Sequence, residues 1–233
     1  MSETSINRTL VVECASEACS VALFEQDRLI ASEHVVLGRG HAERLVPMIA
    51  ALPDKGQASR ILTSLGPGSF TGVRIGIATA RALGIAWGST VLGYPTLGMV
   101  AASCAAESDN DPQPMTVCMN GGHGEWFIQN FGDDLLPQDT VRSVTKEDAV
   151  SLCQHRLIAG SRANDLAELL ASDSVGGDVV ACDLLPNAGA ALWLPESQLS
   201  DDLKPVYGRE PDAKLPSPKL PKGQLSQAKG TAG

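Results

Sequence analysis

The chain is poor in aromatic residues and in positive charge, and it has no convincing membrane-length apolar run. Three Trp, two Tyr and four Phe amount to 4% of 233 residues, so any core must be built mainly from aliphatic and small side chains. Lysine and arginine number 18 against 27 aspartates and glutamates, a formal charge of −9. A protein that gripped RNA by itself would be expected to carry a basic face to neutralise phosphates, and on average this one does not. The imbalance is uneven, however. From Lys204 onward five lysines and one arginine stand against Glu210 and Asp212, a local +4 that leaves −13 on residues 1–203. The least polar stretch, 61–106, is interrupted by Arg74, Arg81, Pro67, Pro95 and many glycines, and no membrane span is predicted. The opening MSETSINRTL lacks a basic segment followed by an apolar one, so no secretory leader is expected and the cytoplasm is the default location.

Clustered metal ligands are missing too. The six cysteines (14, 19, 104, 118, 153, 182) include no C-x-x-C, and the closest pair, Cys14 and Cys19, is separated by four residues. Without a secretory leader, reduced and mostly buried thiols are a better reading than a disulfide framework. The histidines (34, 41, 123, 155) form neither H-x-x-x-H nor a cluster with cysteine, so no metal site is expected. With 43% apolar residues, the chain can bury a real core in one large domain or two small ones.

The patterning predicts an α/β duplication. Strands are expected over 9–14, 19–24 and 29–36, the last two joined by a tight hairpin at Glu25-Gln26-Asp27. Leu45, Met48, Ile49 and Leu52 then mark one face of a helix, with Pro47 kinking or delaying its first turns. A strand over 61–65, a long helix over about 71–87, a strand over 90–93 and a helix capped by Thr96 complete a first half, 1–106. Residues 107–114 read as a linker. A second half, 115–206, repeats the order: strands over 115–120, 125–131 and 140–144, a helix over 146–153, a strand over 156–159 and a helix over 164–171. From 207 to 233 the chain is rich in proline and lysine and should be a flexible tail.

The strongest local signal is Gly66-Pro-Gly-Ser-Phe-Thr-Gly72. Glycines before a helix can offer N–H groups to a phosphate, but the spacing fits neither G-x-x-x-x-G-K-[ST] nor G-x-G-x-x-G. A tight strand-to-helix turn accounts for it better. Beyond it Gly72, Gly76, Ala80, Gly84 and Gly88 recur every four residues. This row of small side chains suits close approach, either to the chain's own sheet or to a helix of another subunit. His41, before the first helix, could serve as a base, but no nucleophile motif accompanies it; a helix-start or partner contact is the better reading.

The duplicated order resembles the actin-like group of sugar kinases and heat-shock ATPases, whose two phosphate turns supply an Asp and glycines. Here the first turn, Glu13-Cys-Ala-Ser16, has an acid without glycine; the second, Asn120-Gly121-Gly122-His123, has glycines without an acid. A magnesium–phosphate site needs both, so ATP hydrolysis is not expected. The fold class implied is α/β: a duplicated actin-like (ASKHA, ribonuclease H-like) fold of mixed sheets with helices.

A closer resemblance rests on Glu17-Ala-Cys-Ser-Val-Ala-Leu23, Leu37-Gly-Arg-Gly-His-Ala-Glu-Arg-Leu45, Gly66–Gly76 and Pro205-Val-Tyr-Gly-Arg209. These segments resemble the bacterial TsaB (YeaZ) family over about 9–216. The resemblance implies a non-catalytic subunit in the synthesis of N6-threonylcarbamoyladenosine at position 37 of tRNAs reading codons that begin with A. It implies a heterodimer with the metal-holding paralogue TsaD, joined by the small ATPase TsaE, with tRNA met mainly through the complex. No cofactor is expected on this chain alone; ATP or ADP would sit at the junction of the complex. The implied pairing surface carries His41, Arg44, Leu45, Met48, Phe70, Arg74, Gly76 and Ile77, and Glu13, Ser16, Asn120, Gly121 and Gly122 form the degenerate nucleotide turns. One departure is Asn120-Gly-Gly-His-Gly before Glu125, where relatives often carry an Asp-Ala-Arg-like segment. The competing readings are an independent ATP-dependent phosphotransferase or peptidase, and a free-standing homodimer.

Overall fold

The computed structural model describes residues 7–108, 111–172 and 178–208. The start of the chain and most of the proposed flexible tail, 209–233, lie outside the described residues.

The first sheet is made by β1 (Arg8–Glu13), β2 (Ala18–Glu25), β3 (Arg28–Val36), β4 (Arg60–Ser64) and β5 (Thr90–Tyr94), in the order β3-β2-β1-β4-β5. The β1–β2–β3 meander is antiparallel, and β4 and β5 run parallel to β1. Three helices accompany it: α1 (His41–Ala51), α2 (Phe70–Trp87) and α3 (Thr96–Glu107). The second sheet repeats the plan with β6 (Met115–Gly122), β7 (Glu125–Phe131), β8 (Arg142–Val144), β9 (Leu157–Ala159) and β10 (Val180–Cys182), in the order β10-β9-β6-β7-β8. Its helices are α4 (Lys146–Leu152) and α5 (Ala163–Ser172). The same mixed five-stranded sheet built twice is the duplicated actin-like α/β fold expected from the sequence.

Strand β1 is buried on both faces, which is why it reads as a continuous apolar run. Leu10, Val12 and Cys14 join Leu45, Met48, Ile49 and Ala80 in one core layer beneath α1 and α2. Val11 points the other way, toward Tyr94, Met99 and Ala102. In α1 the residues expected on one face, Leu45, Met48, Ile49 and Leu52, are indeed buried, while Pro47 lies on the exposed side and the helix continues through it.

The row of small residues in α2 faces this same sheet. A Cβ on Gly72 would run into the carbonyl oxygen of Cys14, one on Gly84 into the Val91 side chain, and one on Gly76 would press on Thr63 Oγ1 at 3.2 Å. The helix therefore uses the row to sit close on β1, β4 and β5, and the row is not a groove for another subunit. At its end Gly88 adopts φ 67° and its N–H returns to the Gly84 carbonyl, a left-handed cap that suits glycine.

Two further elements differ from the sequence expectation. Thr96 is the first residue of α3 and not its cap, because its hydroxyl is buried in a 2.7 Å hydrogen bond with Ser64. Strand β10 was not anticipated; three residues are too few to show a period.

The second half also does not keep everything up to 206. Ala188, Ala190 and Leu194 pack in the layer of Val11, Ala22, Phe24 and Tyr94. Gly93 and Ser200 exchange backbone hydrogen bonds of 2.7 and 2.9 Å, and Val206 N–H donates to the Leu65 carbonyl at 2.7 Å. Residues 188–208 thus return over the first sheet, and Tyr207, placed at the start of the tail by its sequence, is fixed against Phe70.

Because the Gly72 backbone touches a carbonyl that cannot move without disturbing β1, Gly72→Ala is expected to destabilise the fold by about 3 kcal/mol. Urea unfolding checks this, and an unchanged midpoint would contradict the packing described.

Candidate functional site

The turns over residues 13–16 and 120–123 meet across a cleft of about 350 Å³, lined by Ser16, Glu17, Phe70, Asn120, Gly122 and His123 among others. Asn120 Nδ2 donates to Glu17 Oε1 at 3.3 Å across it. Of the expected turn residues, Ser16, Asn120, Gly121 and Gly122 line this cleft, but Glu13 does not.

Glu13 is fully buried. Its Oε1 accepts the Ala15 N–H at 2.6 Å, and its Oε2 lies 3.1 Å from the Tyr94 hydroxyl, which itself donates to the Val12 carbonyl at 2.8 Å. The single tyrosine proton is shared between the Val12 carbonyl and Glu13 Oε2. Burial pushes the Glu13 carboxyl up to about 7. An inward-facing acid bonded to Ala15 and Tyr94 is a core group and is not directed into the cleft. Beside it, Cys14 and Cys19 place their sulfurs 3.6 Å apart across the start of the β1–β2 hairpin, and all six cysteines are free thiols.

Two N–H groups of the glycine-rich turn are committed within the chain. Ser69 N–H donates to the Ala15 carbonyl at 2.6 Å, and Gly72 N–H donates to Ser69 Oγ at 3.2 Å. A Cβ on Gly68 would overlap the same Ala15 carbonyl. The turn is therefore bolted to the first hairpin, in keeping with the tight-turn reading and leaving these donors unavailable to an anion. Among the described residues no three His, Cys, Asp or Glu side chains converge as metal ligands.

The residues implied as a pairing surface fall into three groups. Leu45, Met48, Gly76 and Ile77 are buried inside this chain, so they support the helices from beneath and do not form their outer surface. His41 is buried as well, its Nε2–H donating to the Ala18 carbonyl at 3.1 Å; it ties the start of α1 to β2. Arg44 is bonded to Glu33 at 2.6 Å. Phe70 and Arg74 are exposed at the start of α2, where the Arg74 guanidinium lies 3.4 Å over the Phe70 ring.

What sequence reasoning missed is the outer side of the two helices. On α1, Ala42, Val46, Pro47 and Ala50 are exposed; on α2, Ala78, Ala82, Ile85 and Ala86 are. Val46 is 57% and Ile85 87% exposed. The helices pack side by side, and their outer sides present mainly small and apolar side chains to solvent. The signal was present as apolar residues left over after the core positions of each helix were assigned.

The architecture defines a duplicated actin-like α/β protein whose first turn keeps its acidic residue, Glu13, out of the cleft. Residues 35–173 match the family described as "TsaD: tRNA N6-adenosine threonylcarbamoyltransferase". The chain belongs to this family, as a member of its TsaB/YeaZ group. The tRNA threonylcarbamoyladenosine biosynthesis protein TsaB of Escherichia coli is 37% identical over 99 residues, 40% of this chain and 42% of that protein. The Haemophilus influenzae protein of the same name is 35% identical over 137 residues, 56% of each. These matches span about half the length of the curated relatives. The solved structure of YeaZ from Pseudomonas aeruginosa superposes with a TM-score of 0.71 at 25% identity, covering 86% of this chain and 99% of that one.

The neutral Glu13 gives stability a defined pH dependence. The unfolded chain ionises this carboxyl near 4.5, whereas the fold keeps it protonated to about 7. Its contribution is full below pH 4.5 and declines as pH rises to 7, by about 3 kcal/mol in all. Glu13→Gln preserves the acceptor to Ala15 and a donor to Tyr94, so it should remove that decline and stabilise the protein at neutral pH. Unfolding titrations of both proteins from pH 4.5 to 8 check this; parallel profiles would contradict a buried neutral acid.

Proposed function

We propose that this chain is an accessory subunit in the synthesis of N6-threonylcarbamoyladenosine in tRNA, and that it docks through the outer side of α1 and α2 onto a tRNA N6-adenosine threonylcarbamoyltransferase of the TsaD type. The observation that carries the proposal is the exposed, small-residue and apolar face made by Ala42, Val46, Pro47 and Ala50 together with Ala78, Ala82 and Ile85. Small side chains let a partner's helices approach closely, and a contiguous apolar surface favours coverage by another protein. The family match supports a paralogue of related fold as that partner, and the relatives named as tRNA threonylcarbamoyladenosine biosynthesis proteins support the same reaction.

The state of the cleft supports a non-catalytic role. Glu13 is withdrawn into the core, and the Ser69 and Gly72 N–H groups at the start of α2 are bonded within the chain. The catalytic step then belongs to the partner, and this chain contributes by holding the partner's active conformation. A small ATPase of the TsaE type is the third member in this reading, and any ATP or ADP sits where the subunits meet. Alone, the same face can pair with a second copy, and the transferase displaces that copy.

Val46→Asp combined with Ile85→Asp should cut co-purification with the transferase at least tenfold. Both side chains point to solvent, so melting should shift little, consistent with changes within about 0.5 kcal/mol at such sites. Full retention of pairing by the folded double variant would overturn the docking face. Magnesium-dependent ATP turnover by the isolated chain would overturn the non-catalytic role.

A further inference from the structure

The neck of the β1–β2 hairpin holds a feature that neither the cleft nor the proposed docking face uses. Cys14 and Cys19 continue the pairing of Glu13 with Ser20 by one position. Their side chains leave opposite arms of the hairpin toward the same core layer. Opposed residues of an antiparallel pair have Cα atoms about 4.5–5.5 Å apart, within the span that a disulfide bridges. The two sulfurs are 3.6 Å apart and both thiols are free. Bond formation brings them to about 2.0 Å, within reach of small side-chain rotations.

The bond would close a loop, residues 15–18, to which much of the first half is tied. The Ala15 carbonyl accepts Ser69 N–H at 2.6 Å just ahead of α2, and the Ala18 carbonyl accepts His41 Nε2–H at 3.1 Å at the start of α1. The Glu17 carbonyl accepts the Leu37 and Gly38 N–H groups at 2.9 Å each. A covalent change at the neck therefore acts where both helices begin.

The pair is also polarised. The Cys14 thiol donates to the Cys19 sulfur; this contact raises Cys14 and holds Cys19 below its ordinary value, against the opposing effect of burial. Cys19 thus has the thiolate character of an attacking sulfur, and Cys14 is its proton-bearing neighbour. Burial pushes the other four thiols up, Cys104 and Cys118 to about 12, and Cys153 and Cys182 in the same direction. Both sulfurs of the pair are packed beneath α1, which excludes a bulky reagent. A small one has a short path. Ala15 and Ser16 line the cleft, and Gly72, whose backbone meets the Cys14 carbonyl, lines a second cavity of about 480 Å³.

We infer that Cys14 and Cys19 are a reversible disulfide modification site, closed by hydrogen peroxide and reopened by a dithiol. The Cys19 thiolate attacks one peroxide oxygen and the O–O bond breaks. Cys19 becomes a sulfenic acid, and the departing hydroxide takes up a proton as water. The Cys14 sulfur then attacks the Cys19 sulfur; the S–S bond forms, the S–O bond breaks, and a second water leaves with the Cys14 proton. Two thiols are oxidised and one peroxide is reduced to two waters. The site stands apart from the docking face and from the partner proposed for it, so neither reading falls with the other.

The test exposes the reduced full chain to a few equivalents of hydrogen peroxide, followed by acid quenching, unfolding and alkylation with N-ethylmaleimide. Trypsin releases residues 9–28 as one peptide holding both cysteines, since no Lys or Arg lies between Arg8 and Arg28. That peptide should appear unalkylated and about 2 Da lighter than its reduced form. It should do so about tenfold faster than Cys153 or Cys182 loses its alkylation, and dithiothreitol should restore both thiols. Cys19→Ser should abolish oxidation of the peptide, whereas Cys14→Ser should arrest Cys19 as a sulfenic acid that dimedone captures. Mapping of the unsubstituted chain tests the site even where a variant folds poorly. A 9–28 peptide still doubly alkylated once Cys153 or Cys182 has reacted would overturn the site. So would conversion of Cys19 to a sulfinic acid with no disulfide, and dimedone capture at Cys14 in Cys19→Ser would overturn the roles given to the two sulfurs.

Discussion

The burial of α3 between the two sheets is the constraint on which the arrangement depends. Its sequence, TLGMVAASCAAE, is buried over Thr96–Ala105 with no polar stripe, as a helix without a solvent face must be. Leu97, Val100, Ala101 and Cys104 pack with Met115, Val117 and Phe127 of the second sheet. Met99 and Ala102 pack with Val11, Tyr94 and the returning Ala188 and Ala190 of the first. One helix thus contributes to the cores of both halves, and its small residues keep the sheets close to it. Among the described residues the second half has no counterpart in this position; the 188–208 segment covers the first sheet instead.

This packing also explains why Glu13 is absent from the cleft. Glu13 extends from the α3-facing side of β1, beside Tyr94, and its carboxyl is taken up by a tyrosine and a backbone amide within its own half. On the opposite face of the sheet, α2 descends until its backbone meets the Cys14 carbonyl. Together these features fix the first turn from within. The exposed positions of α1 and α2 include Val46, Ala50, Ala78, Ala82 and Ile85, the residues on which the proposed docking rests.

Much of the architecture was legible because it rests on local periodicity. The β1–β3 meander, the 45-48-49-52 face of α1, the length of α2 and the repeat in the second half follow from patterns of two and 3.6. The direction in which a surface faces was much less legible. A row of glycines at every fourth residue looks the same whether a sheet or a foreign helix lies against it, and here the sheet does. Leu45, Met48 and Ile77 were assigned to a partner by resemblance, yet burial places them in the core beneath the exposed Val46, Ala82 and Ile85. Strand β10 and the return of 188–208 were invisible because they depend on contacts distant in sequence, such as Gly93 with Ser200 and Tyr207 with Phe70. Glu13 looked like a half-lost metal ligand; only its tertiary partners, Tyr94 and Ala15, reveal a core acid.

The account stands on the α1–α2 face being the place where another protein is met. Amide hydrogen exchange, measured on the full chain with and without the tRNA N6-adenosine threonylcarbamoyltransferase, tests this most directly. The account predicts slowed exchange concentrated in residues 42–51 and 78–87, with α4 and α5 unchanged. Protection confined to α4 and α5, with α1 and α2 exchanging as in the free chain, would contradict it.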